Sequence, residues 1–321
     1  DGGGGGNFLR TALRDWRADI IHFHWLHPYL IRDSLAGTVS RSLRFLAEVA
    51  TLKSRGSTIG WTIHNLVNHN NTHPHCEQAF STAFAKFTDA CFVHSAAAAD
   101  AAAARFSIPK NKLHVIPHPN YIGTYPNTIS QPESRSKLDL PSGAPIFLFL
   151  GRIEPYKGVE DLVDVFSRCS GDAHLVIAGK VTSPPLHQDL EAAASKNPNI
   201  HLVPERIEDD QLQVFFNAAD FVIFPFRQIL TSGSALLAMS FAKAIIAPKL
   251  PSLQEIIPPG GAIWFSPQQR HSLASAIRDA PALIDPITAG QANLDRVRPW
   301  TWASTALQMT SPLSKTNLGY Q

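Results

Sequence analysis

No apolar stretch in these 321 residues approaches the ~18 needed to cross a bilayer, so no membrane-spanning helix is expected. No segment reads as a secretory signal, which leaves a peripheral contact at the inner face of a membrane as the one membrane role still open. Cysteine is scarce: Cys76, Cys91 and Cys169 are scattered, odd in number and without CxxC spacing. That pattern predicts reduced thiols in a cytoplasmic protein rather than disulfides or a thiolate zinc site. Charge is sparse too, at 17% of residues with a formal net of +2 and no long Lys/Arg run, so no nucleic-acid partner is expected. No Asp-x-Asp pair is present to hold a divalent cation. What remains is a chain 44% hydrophobic, unlike a disordered one and long enough for two domains with separate cores.

The opening "DGGGGG" has no core-forming power and reads as a flexible linker, a fusion scar or the rim of a missing segment. After a short helical stretch, "FLRTALRDW", apolar strand-like runs alternate with helix-like segments almost throughout. "DIIHFHW" (19–25), "TIGWTIH" (58–64), "ACFVHS" (90–95) and "LHVIPHPNY" (113–121) are the strands of the first half, with Ser95 as N-cap of the alanine-rich helix that follows it. Residues 121–143 shift to Pro, Asn, Thr and Ser and read as a connection. The rhythm then resumes with runs at 145–151, 173–180, 199–205, 220–226, 244–248 and 262–265. Such alternation predicts two α/β domains with parallel sheets, whose ligands bind beyond the carboxyl ends of the strands. The expected bounds are 1–135, 136–290 and a C-terminal segment 291–321.

Two strand-end loops carry the chemistry. "GRIEPYKG" (151–158) leaves a buried strand through Gly151 and sets Arg152 and Lys157 ahead of a helix that Gly158 opens. Glycine lets the backbone approach a ligand; a guanidinium fork plus a compact ammonium suits a diphosphate. Two surface cations solvating a loop is the bland alternative. The second loop, "RQILTSGSALLAM" (227–239), puts Thr231, Ser232, Gly233 and Ser234 at the start of an apolar helix. Unpaired N–H groups there favour phosphate oxygens, although Ser and Gly are also ordinary N-cap residues.

With these residues in view, the second half resembles the donor domain of a GT-B glycosyltransferase, of the large retaining family 4. The "GRxxxxKG"-like loop is Gly151, Arg152, Lys157 and Gly158, and the likeness runs in order over roughly 145–285, through "VIAGK", "RIEDDQLQVFFNAADFVIFPF" and "AMSFAKAIIAPKLPSLQEII". The first half is similar to the acceptor domain in "ADIIHFHW", "WTIHNL", "FVHS" and "VIPHPNY". The resemblance implies two Rossmann-like domains facing a central cleft, with a C-terminal helix crossing back to the first. It implies a hexose moved with retention from a nucleotide-diphosphate sugar to a sugar or lipid-linked saccharide, in bacterial polysaccharide or glycoconjugate synthesis. Uridine and glucose are the expected donor parts, guanosine and mannose the second choice. Gly151, Arg152, Lys157, Lys180, Arg227, Gln228, Thr231, Ser232, Gly233 and Ser234 would hold the donor, its base resting near Arg206 and Ile207. His64 would orient the hexose, and no metal or other cofactor is expected. One departure stands out: the family's two glutamates, eight positions apart, fall here on Ile229 and Leu237.

Most of the fourteen histidines lie in the first half, in "HFHWLHP" and "HNLVNHNNTHPH". A metal-dependent hydrolase is the sharp reading, but the later ligands it needs are not found in order. His24, Trp25, Asn65 and His69 instead suit a sugar acceptor, which presents apolar faces and hydroxyls. His22, His174 and His201 read as satisfied structural histidines. A catalytically inactive sugar-nucleotide binder and an epimerase on the same fold also stay open at this point.

Overall fold

The computed structural model describes residues 18–68, 72–169 and 171–314. The stretch "FLRTALRDW" and the predicted acceptor contact His69 lie outside them. The chain divides into two compact units, residues 1–117 with 302–321, and residues 118–301.

The first unit runs β1 (Ile20–Phe23), α1 (His27–Leu30), α2 (Leu35–Ser54), β2 (Thr58–Thr62), α3 (Pro74–Phe87), β3 (Ala90–Val93), α4 (Ala96–Phe106) and β4 (Leu113–Val115). Its four strands are parallel in the order β1-β2-β3-β4, with Ile20 opposite Thr58, Gly60 opposite Ala90 and Cys91 opposite Leu113. β2 and β3 are buried along their whole length, as expected of strands covered on both faces. One cover is aromatic: Phe23 meets Tyr29, Phe45 and Phe84 edge-on, an arrangement the ring quadrupole favours. The other is the last helix, whose Leu313 packs on Ala90, Phe92 and Ile116. Ser95 caps α4 as predicted, accepting from Ala98 N at 3.1 Å.

The second unit contains α5 (Gln131–Lys137), β5 (Ile146–Leu150), α6 (Val159–Cys169), β6 (His174–Ala178), α7 (Pro184–Lys196), β7 (Ile200–Val203), α8 (Leu212–Ala218) and β8 (Phe221–Ile223). It continues with α9 (Gly233–Ser240), β9 (Ala244–Pro248), α10 (Pro251–Ile256), β10 (Ala262–Phe265), α11 (Arg270–Leu283) and α12 (Pro286–Val297). The sheet is six-stranded and parallel, in the order β10-β9-β8-β5-β6-β7. Phe147 of β5 pairs with Leu175 of β6 on one side and Phe221 of β8 on the other. From β5 the chain builds outward through β6 and β7, then returns to add β8 on the opposite side. The crevice beyond the carboxyl ends of β5 and β8 is therefore the topological switch point, where ligands of open α/β sheets bind.

Two expectations are corrected. The boundary falls at 117/118 rather than 135/136, because residues 118–135 are tied into the second unit. Asn120 donates its amide to Val297 O at 2.8 Å, and Gln213 Oε1 accepts from Thr128 N at 2.8 Å. The stretch read as a connection thus includes α5 and belongs to the fold. The C-terminal segment expected from 291 joins the first unit only from 302, with α13 (Trp302–Leu313), while α12 belongs to the second.

Gly158 links α6 to the loop after β8. Its φ of +76° is left-handed, and a Cβ there would sit 2.4 Å from Pro225 O, a backbone atom that cannot step aside. Gly158→Ala is expected to destabilise the protein by about 2 kcal/mol or more, measured by urea denaturation of the second unit's transition.

Candidate functional site

The second unit assembles its candidate site at the switch point. β5 is a fully buried IFLFL strand, and the chain leaves it at Gly151 with φ +142°, a region that disfavours side chains. A Cβ built on Gly151 would lie 3.6 Å from Ser234 Oγ and 3.8 Å from Lys157 Nζ. The two predicted anion loops therefore meet over the bare backbone of residue 151. Lys180 is on the neighbouring strand end, its carbonyl accepting from Ile153 N at 2.9 Å while its side chain is exposed.

The electrostatics of this corner are lopsided. Burial pulls the Lys157 ammonium below its usual value, with Glu154 opposing that shift and Arg152 adding to it. No described residue makes a hydrogen bond or ion pair to Lys157 Nζ. The exposed Arg152 guanidinium stands 3.5 Å from Glu154 Oε1, leaving one carboxylate among two cations. Burial and then Glu154 push the Tyr156 phenol up to about 12, so it stays a neutral donor. At the second loop, Ser232 Oγ accepts from Ala235 N at 3.1 Å. Ser232 thus caps α9 through an oxygen lone pair, which leaves its O–H able to donate alongside those of Thr231 and Ser234. Thr231 Oγ1 is buried with no hydrogen-bond partner among the described residues, an unmet polar group that a ligand oxygen would satisfy.

Other predicted donor contacts are less closely tied to this corner. Arg227 is ion-paired to Asp161 of α6, whose hydrogen bond raises the pKa of the guanidinium, so it ties that helix to the second loop. Arg206 is exposed, 3.8 Å from Glu208, and Ile207 packs against the core; Gln228 is exposed. Ile229 and Leu237, where the resemblance would put carboxylates, also pack against the core. Sequence reasoning passed over Glu154, Asp161 and Tyr121. The Tyr121 hydroxyl would be 3.3 Å from a Cβ on Gly233, at the mouth of the second loop.

In the first unit, His24, Trp25, His64 and Asn65 line one concave pocket with Asn68 and Glu77. His24 Nδ1 and His64 Nε2 are 3.0 Å apart and share a proton, and the His64 ring stacks on Trp25 at 4.7 Å between centroids. Glu77 is buried and accepts from Asn68 Nδ2 at 2.7 Å and Asn68 N at 3.1 Å, which fixes the pocket floor. His94 continues the row of rings, 5.4 Å from His64, and bonds Ile116 O through Nδ1. Among the described residues no group of three or more His, Cys, Asp or Glu is arranged to hold a metal ion. As expected, His22 is structural, its Nε2 being 2.8 Å from Thr62 Oγ1.

Comparison with known proteins fits the geometry of the second unit. Residues 144–281 match the family model described as Glycosyl transferases group 1. Over that span the second unit is similar to a group 1 glycosyltransferase domain. Over 242 residues the chain is 26% identical to a GDP-mannose:glycolipid 4-beta-D-mannosyltransferase of Xanthomonas campestris pv. campestris, covering 75% of this chain and 64% of that relative. The match therefore spans a little under two thirds of the relative's length. Among solved structures, sucrose-phosphate synthase from Thermosynechococcus elongatus superposes with a TM-score of 0.76 at 20% identity, covering 95% of this chain and 75% of that one. Anabaena Alr3699/HepE in complex with UDP gives 0.74 at 14% identity, covering 96% and 80%. The fold is GT-B, with two parallel-sheet domains. No helix among the described residues is long and apolar enough to cross a membrane.

His22 gives the first unit a pH signature. Burial, then the adjacent His24, pulls its pKa from 6.5 to about 4. Between those values the unfolded chain binds the proton and the folded one does not, so stability rises with pH through that window and is fully present above 6.5. Acidification to pH 4 is expected to cost on the order of 1–3 kcal/mol, and His22→Gln should flatten that part of a thermal-midpoint-versus-pH curve.

Proposed function

We propose that this chain is a glycosyltransferase that moves a hexose from a nucleoside-diphosphate sugar to a hydroxyl of a saccharide or lipid-linked saccharide. The observation that carries the reading is the meeting of Lys157 Nζ and Ser234 Oγ over Gly151, next to Arg152, at the switch point of the second sheet. Breaking the bond between the sugar's anomeric carbon and the distal phosphate leaves negative charge on the diphosphate. Fixed cations, hydroxyls and helix amides aimed at that charge lower the barrier more than they stabilise the ground state. In this reading Arg152 and Lys157 neutralise the departing group without a metal, and Thr231, Ser234 and the amides opening α9 bond its oxygens. The acceptor's hydroxyl forms the new bond, with Trp25 offering an apolar face and Asn65 and His64 hydrogen bonds.

The relative's name gives GDP-mannose as its donor and a glycolipid as its acceptor, while the solved Anabaena neighbour holds UDP. Both are nucleoside diphosphates, and the sequence relative favours guanosine and mannose over the uridine and glucose expected from the chain alone. Retention needs no side-chain base, because the leaving phosphate takes the acceptor's proton. A second reading, inversion, is favoured by the hydrogen-bonded His24–His64 pair, which offers a base, and by the β linkage in the relative's name.

Calorimetry with GDP and UDP is the first test. One of them should bind at micromolar strength, and Arg152→Ala should weaken it by about 30- to 150-fold, the loss of one or two charge-assisted hydrogen bonds. Unchanged affinity removes Arg152 from the site, and binding without transfer to any acceptor identifies an inactive binder. Proton NMR of the first product formed from GDP-mannose or UDP-glucose distinguishes retention, an α product, from inversion, a β product.

A further inference from the structure

Tyr121 lies in the stretch whose composition reads as a connection, yet its backbone is tied into the second unit. Its backbone N–H donates to Ser240 Oγ at 3.0 Å, and that hydroxyl in turn donates to Leu236 O at 2.7 Å, fastening Tyr121 to the far end of α9. The preceding residue is anchored as well, Asn120 N donating to Trp300 O at 2.6 Å. The Tyr121 ring stacks on Tyr125 at 6.1 Å and lies 5.9 Å from the His118 ring. From this base the side chain runs along α9 to its opening turn, where the hydroxyl would be 3.3 Å from any Cβ on Gly233.

Three features go beyond packing. The hydroxyl has no hydrogen-bond partner among the described residues, although everything beneath it is fixed. Burial, then Tyr125, raises its pKa, so at neutral pH it is a proton donor. Gly233 opens the helix where alanine is the better helix former by about 0.5–1 kcal/mol, and the approaching phenol is a physical reason for the bare position. It adjoins Ser234, whose hydroxyl shares the Gly151 corner with Lys157.

We infer that the Tyr121 hydroxyl donates a hydrogen bond to the diphosphate of the donor nucleotide, completing the shell formed by Arg152, Lys157 and Ser234. The inference rests on the proposed transferase function and adds a contact from outside both anion loops. Tyr121 is then a substrate-binding group whose position is set by α9 itself, so the helix that supplies the amides also carries the phenol.

The test is calorimetry of the full chain with GDP, UDP and inorganic pyrophosphate, for wild type, Tyr121→Phe, Gly233→Ala and the double variant. Phenylalanine keeps the ring packing and removes only the hydroxyl. Tyr121→Phe should weaken the bound nucleotide and pyrophosphate alike, by about tenfold or more, with an unchanged thermal midpoint in the absence of ligand. Gly233→Ala, whose methyl crowds the phenol, should weaken both on its own and add nothing when combined with Tyr121→Phe. Wild-type nucleotide binding with unaltered pyrophosphate affinity in Tyr121→Phe overturns this inference alone. A wild type that binds none of the three ligands overturns the transferase function and this inference with it.

Discussion

A partly buried ammonium without a hydrogen-bonded counter-ion is the constraint around which the second unit is organised. Removing Lys157 from water lowers its pKa, and the one carboxylate that opposes the shift, Glu154, also faces Arg152. In the proposed function, two cations, one neighbouring carboxylate, a buried unmet hydroxyl at Thr231 and the opening turn of α9 together suit an incoming anion with several oxygens. A diphosphate meets that description because it spreads charge over two linked groups and can engage a planar guanidinium and a point charge together.

The sheet order makes this concentration of charge structurally possible. β5 and β8 are neighbours although far apart in sequence, so their loops, at 151–158 and 224–232, end side by side. The ion pair of Asp161 with Arg227 ties the helix after the first loop to the second loop. Gly158, pressed against Pro225 O, does the same through backbone contact. The histidine-rich pocket of the first unit follows a different logic, with stacked aromatic rings and an amide–carboxylate pair in place of a cluster of cations. Apolar faces with scattered hydrogen-bond donors are the chemistry that recognises a sugar ring.

Most of the fold was legible because the strands of parallel sheets are buried on both faces and read as short apolar runs ending at Gly, Pro or His. The ten strands among the described residues all coincide with such runs, with bounds differing by a few residues, and the loops after β5 and β8 stand out through Arg152, Lys157 and the 231–234 run. What escaped was everything fixed by contacts distant in sequence. Residues 121–143 look like a connection by composition, but Gln213 holds Thr128 and Ile129 in the second unit, and Val297 holds the preceding Asn120. Arg227 reads as an open cation until Asp161 is seen beside it, and Tyr121 has no local signal at all. Ser232 carried two meanings in the sequence, anion contact and helix cap, and its oxygen serves the cap.

The most direct test of the central claim is a crystal structure of the protein grown with GDP or UDP. The account predicts a diphosphate within hydrogen-bonding distance of the Arg152 guanidinium, Lys157 Nζ and the first amides of α9, with its oxygens lying over Gly151. A nucleotide whose phosphates sit elsewhere on the molecule, leaving Lys157 and the 231–234 loop untouched, would contradict it.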